Sequence, residues 1–177
     1  MTGGKSPEPW LRGTLTETPA VARAVLHALQ LAEEDLQTWC ANLTDEELNA
    51  HPEGIAPVAF HLRHIARSLD RLLTYAEGKP LDATQISALK TELSPPATKT
   101  DLFAELSAAC KTSAQRIQQL ASTNLQAIRT VGAKHLPTTV GGLLVHVADH
   151  TQRHVGQAIT TSKFVVAQRV SPVVDAP

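Results

Sequence analysis

Apolar residues return every three or four positions through four separate long stretches of this chain, and that period constrains the fold more than any other feature. The first stretch opens at Thr18-Pro19, read as a threonine N-cap with proline at the first helical position. It continues through Val21, Val25, Leu29, Ala32, Leu36, Trp39 and Leu43. Thr44-Asp45-Glu46-Glu47 reads as a capping box opening a short helix through Leu48. The second long helix is expected from about Pro57 to Glu77, with Val58, Leu62, Ile65, Leu69, Leu72 and Leu73 apolar and Gly78 as its C-terminal cap. Thr100 is expected to cap the third, which carries Leu102, Leu106, Cys110, Ile117 and Leu120. Gly132, Pro137 and Thr138-Thr139 mark a break, and the fourth helix runs from about Thr139 to Lys163.

Aromatic residues make up only 3% of the chain, so Leu, Ala, Val and Ile must fill the core, a palette that favours packed helices over a sheet sandwich. The expectation is an all-α four-helix bundle. Residues 79–99 form a long connection, with a short helical piece around Ile86 to Leu89, and leave room for a crossover rather than a tight hairpin. The chain divides into a leader (1–17) expected to pack through Trp10 and Leu11, the bundle (18–163), and a tail (164–177) that either packs on the body or forms an interface strand.

A length of 177 residues suits one domain with a sizeable core. A net charge of −1 gives no electrostatic grip on nucleic acid or on anionic lipid. No signal-peptide core or membrane-length apolar run is present in the sequence, so a cytoplasmic location is expected. Cys40 and Cys110, far apart and within helical patterns, read as free buried thiols.

Chemistry concentrates in the histidines. Five of eight fall in two helical stretches: His61 and His64 in the second helix, His146, His150 and His154 in the fourth. A four-residue step returns to nearly the same helix face one turn on. His150 and His154 continue the apolar stripe of Leu143, Val147 and Ala158, where both imidazoles can reach one ion. His146 is rotated to the edge of that stripe and is a candidate for lining a cavity or moving a proton. On the second helix, His61 sits beside Val58 and Ile65, and His64 on a flank with Phe60, Ser68 and Arg71; spacing alone leaves the choice open. One of them plus the pair would give three nitrogen ligands, a count typical of catalytic zinc-type sites that keep a coordination position open. The same donors suit zinc or nickel first, and also iron, cobalt or manganese.

His27, His51 and His135 each stand alone and read as ordinary structural residues, and Asp149 as a surface charge. Asp70 and Glu77 are either solvated or orient a ligand histidine. Arg67 and Arg71 lie one and two turns past His64, where they are surface residues or contacts for an anionic cosubstrate. No HExxH motif, Gly-rich phosphate loop or serine nucleophile elbow is present.

The segment FHLRHIARSLDRLL, followed later by HVADHTQRHVGQ, resembles the DinB-like superfamily of bacterial four-helix bundles. Its members carry a ligand histidine in a His-(Ile/Leu/Val)-Ala context on the second helix and two more at a four-residue spacing on the last, often before Gly-Gln. His64-Ile65-Ala66, His150, His154 and Gly156-Gln157 match, and the resemblance spans about residues 18–163. It implies His64 rather than His61 as third ligand, an up-down-down-up (DinB/YfiT-like) bundle, a divalent metal and a homodimer. Relatives include S-transferases using bacillithiol or mycothiol and a mycothiol-dependent maleylpyruvate isomerase. The implied activity is thus a metal-dependent transferase or hydrolase acting on a small electrophile, with a low-molecular-weight thiol as cosubstrate and His61 or His146 as proton shuttle. The alternative is a non-enzymatic metal-binding bundle with a stress-related or structural role.

Overall fold

The computed structural model describes residues 6–93 and 96–169. Its elements in chain order are α1 (Ala20–Cys40), α2 (Asp45–Asn49), α3 (Val58–Ala76), α4 (Ala83–Lys90), α5 (Lys99–Leu120), the strands β1 (Ile128–Val131) and β2 (Leu136–Thr139), and α6 (Val140–Gln168). None of the described helices is long and apolar enough to cross a membrane.

Side-chain caps set most of these boundaries. Thr44 and Glu47 exchange hydrogen bonds as a capping box at α2, as expected, and Asp82 and Gln85 repeat the device at α4. Two expected caps move. Thr18 does not cap α1; Pro19 holds the cap position in extended backbone and its carbonyl accepts from the Arg23 N–H. Thr98, not Thr100, caps α5: its hydroxyl accepts from the Asp101 N–H, and Asp101 then adds a negative charge to the first turn.

Hydrogen bonds between helices give their directions. Gln152 and Ser162 of α6 reach the carbonyls of Ala28 and Trp39 of α1, so these two helices run parallel. On α3, Arg67 meets Glu105 of α5, and Glu77 meets Arg116, so that pair is parallel too. His61 faces His154 and His64 faces His150, which makes α3 and α6 antiparallel. The topology is up-down-down-up, and the parallel α3–α5 step requires the long crossover that the sequence contains. Leu36, Leu62, Ile65, Leu69, Leu73, Ile117, Leu144 and Val147 are fully buried between the four helices. Each such side chain contributes roughly 1.5–3 kcal/mol relative to exposure.

The crossover is held down on α3. Gly78, at φ +77°, ends α3 in a left-handed turn, and the Lys79 N–H returns to the Thr74 carbonyl. From α4, the Gln85 amide donates to Asp70 and Thr74. The break after α5 is an antiparallel hairpin, registered Ile128 to Thr139 and Val131 to Leu136, which the sequence pattern does not announce. Thr139 caps α6, and the Gly141 N–H bonds the Leu125 carbonyl at 2.8 Å, an approach that leaves little room for a side chain.

Both ends of the bundle differ from expectation. Trp10 and Leu11 are 62% and 58% exposed; the leader is anchored instead by buried Pro9, by Arg12 paired with Glu34, and by Thr14 on His27. The two side-chain pairs are polar and join residues 22 and 13 positions apart, so apolar patterning misses them. α6 continues beyond Lys163 to Gln168, because Thr161, Ser162 and Val165 extend its inward face, and Arg169 pairs with Glu47. The rest of the tail, 170–177, lies outside the described residues.

Candidate metal centre

The antiparallel packing of α3 on α6 brings one ring from α3 between two from consecutive turns of α6. Nε2 of His64 stands 2.9 Å from Nε2 of His150. The His64 and His154 rings are 4.3 Å apart at their centroids, and those of His150 and His154 4.7 Å. One nitrogen from each of His64, His150 and His154 lies within 4.8 Å of the others. Two nitrogens bound about 2.1 Å from one ion are about 3.0 Å apart at a right angle and about 3.4 Å apart at a tetrahedral one. The three rings are therefore close enough to hold a metal ion with small side-chain adjustments. Phe60, stacked on His64 with 5.2 Å between centroids, supplies an apolar wall.

The electrostatics suit ligation, which needs neutral rings. Burial, and after it the neighbouring His154 and His64, pushes His150 down to about 4. Burial and His64 push His154 down to the same level. Both rings are neutral at pH 7, with a lone pair to offer.

His61 is buried and its Nδ1 lies 3.1 Å from Nδ1 of His154. Burial, then His154 and His64, lowers its ring to about 4. With Nδ1 of His154 engaged in this way, Nε2 is the atom left to face an ion. His146 is half exposed, with Nδ1 3.7 Å from Asp149; Asp149 itself pairs with Arg153 at 2.6 Å on the surface.

The α3 arginines are engaged within the protein. Arg67 donates to Glu105, to the Ala88 carbonyl and to Thr91. Arg71 is buried and donates to Glu92 at 2.7 Å. Asp70 and Glu77 orient no histidine; both bind Arg116 of α5. The carboxylate beside the cluster is Glu92, just after α4, with Oε2 2.6 Å from Nδ1 of His64 and only 5% exposed. Burial works to raise its carboxyl, but the hydrogen bonds from His64 and Arg71 outweigh it and hold the group below the usual carboxylate range. The sequence carries no signal for Glu92, which lies in an aperiodic connection.

A cavity of about 700 Å³ lies next to this cluster, meeting it at Phe60, His61 and Arg153; His64, His150 and His154 do not themselves line it. Ile55, Phe60 and His61 line one side; Arg153, Gln157 and Thr160 of α6 line the other. His146, Arg67 and Arg71 are not among its lining residues. Elsewhere, His27 bonds Thr14, His51 and His135 are exposed, and Cys40 and Cys110 are free and buried. Burial raises the two thiols to about 11 and about 12, so neither offers a thiolate at neutral pH.

Comparison with known proteins agrees with this geometry. A family model described as the DinB superfamily matches residues 28–158, a span that includes α3, the crossover and all three clustered histidines. No curated protein and no solved structure matches the chain. With most of its length matched by that one model, the chain belongs to the DinB superfamily.

Proposed function

We propose that this protein is a metal-dependent enzyme, a thiol-dependent S-transferase or a hydrolase, acting on a small electrophilic molecule. The observation that carries this reading is the convergence of His64, His150 and His154, joined through His61 to a cavity large enough for a small substrate. These three rings would hold a divalent cation, zinc or nickel by preference for imidazole nitrogen. Such an ion, when bound, supplies Lewis acidity and lowers the pKa of a coordinated water or thiol.

The chain's own residues then bind and orient. Phe60 and Ile55 offer an apolar wall for the body of the electrophile, while Gln157 and Arg153 offer donors for its polar groups. His61 meets His154 through their Nδ1 atoms, 3.1 Å apart, and lines the cavity. A ring held near 4 is a weak base at neutral pH, so we assign His61 to orientation rather than to proton transfer. His146 is half exposed and its ring stands 5.3 Å from that of His150, which keeps it as the candidate for moving a proton. The rival reading, a metal-stabilised bundle without activity, gives this cavity no use.

The test is an assay of metal-loaded protein with a panel of low-molecular-weight thiols and electrophiles, and with activated esters and amides. The reading expects turnover that is lost in His150→Ala. Metal-loaded protein that turns over neither class, with a cavity closed to small probes, would favour the inactive bundle.

A further inference from the structure

Three arginines stand on successive turns of α3, and each reaches the crossover. Arg63 donates to the Glu92 carbonyl at 3.0 Å; Arg67 donates to the Ala88 carbonyl and Thr91; Arg71 donates to Glu92 Oε1 at 2.7 Å. Together they draw the end of the crossover into the bundle and leave the Glu92 carboxylate buried. Its second oxygen meets Nδ1 of His64 at 2.6 Å. A surface loop has no need to bury an acid. Removing one partner of such a network leaves a lone buried charge behind.

We propose that Glu92 is a positioning residue of the metal centre, and that the crossover is built into that centre through the clamp of Arg63, Arg67 and Arg71. The inference rests on the metal-site reading above. Arg71 donates to one Glu92 oxygen at 2.7 Å and the other oxygen meets Nδ1 of His64 at 2.6 Å, so both oxygens are placed as acceptors. Nδ1 of His64 must then carry the ring proton, and Nε2 presents its lone pair toward His150 and His154. Without Glu92 the other tautomer becomes available, with the proton on the atom that must bind the ion. Because the Glu92–Arg71 pair is neutral overall, it orients His64 without placing an unbalanced charge beside the cluster. The pair thus sets both the ring's rotation and its tautomer, from a segment that belongs to neither ligand helix.

The experiment uses the full chain with zinc and with cobalt(II). Glu92→Gln should weaken metal affinity by about 10–100-fold and shift the visible absorption of the cobalt-loaded protein. Glu105→Gln, which touches the same clamp away from His64, should leave both unchanged. Proton–nitrogen NMR of the metal-free wild type should show His64 as the Nδ1–H tautomer, a readout independent of how well any variant folds. Wild-type affinity and an unaltered cobalt spectrum in Glu92→Gln would overturn the inference and leave the three-histidine site standing, as would a wild-type His64 protonated on Nε2. A wild type that takes up no metal would remove the metal-site reading and this inference together.

Discussion

Nε2 of His64 lies 2.9 Å from Nε2 of His150, although 86 residues separate them in sequence. Two ring nitrogens at that distance share one proton or one cation, and sharing with His154 favours the cation. Metal should therefore stabilise the fold. At a free concentration a hundred times Kd, the gain is about 2.7 kcal/mol, or roughly 5–11 °C in melting temperature for a chain of this size. Zinc should raise the melting temperature of the wild type and a chelator should reverse it. His150→Ala should show neither effect. Identical shifts in wild type and variant would place the ion elsewhere.

Acid should weaken the metal-free protein in a defined window. His61, His150 and His154 are held near 4 in the folded state, against an ordinary value of 6.5. Between those values the unfolded chain binds more protons than the folded one, so stability is full above about 6.5 and falls as pH drops toward 4. Glu47, lowered to about 2 chiefly by Arg169, titrates in a separate, more acidic window. Urea midpoints measured with chelator at pH 7.5 and pH 5 should differ, with the lower midpoint at pH 5. Equal midpoints would mean that the rings are not buried as described.

Gly156 lines the cavity two residues past His154. A methyl group built there meets nothing within 4 Å. Gly156→Ala should stabilise the fold by about 0.5–1 kcal/mol, the usual gain from removing glycine inside a helix. Gly156→Leu should keep metal affinity while lowering turnover of bulky electrophiles. Full turnover of bulky substrates by Gly156→Leu would move the substrate out of this cavity.

Core and cap substitutions should separate by size. Leu62 is fully buried, and Leu62→Ala should cost about 2–5 kcal/mol. Thr44→Ala removes the hydroxyl that accepts from the Glu47 N–H and should cost about 1 kcal/mol. Chemical denaturation reads both, and a cap variant as damaging as the core variant would contradict the assignment of α2 as a peripheral helix.

How much of this was legible in the sequence depends on the range of each interaction. The four long helices announce themselves because a 3.6-residue period repeats for many turns, and His150 and His154 inherit their facing from that period. The Thr44 capping box is equally visible, since all its partners lie within four residues. The hairpin is not, because strands of four residues such as Ile128–Val131 are too short to show alternation. The pattern points to Thr100 as the cap of α5, and only the hydrogen bond from the Asp101 N–H moves it to Thr98. Spacing alone does not tell His61 from His64; the family resemblance points to His64, and its ring lies in the cluster. Glu92 is the largest omission. It reaches His64 from a connection without periodicity, through contacts that arise only when three arginines have folded that connection onto α3.

The most direct test of the central claim is the X-ray absorption spectrum of protein loaded with one equivalent of zinc. The account predicts a single ion per chain with three imidazole nitrogens at about 2.0–2.1 Å and a light-atom ligand completing the shell. An edge fitted by sulfur, by one imidazole, or no retained zinc at all would contradict it.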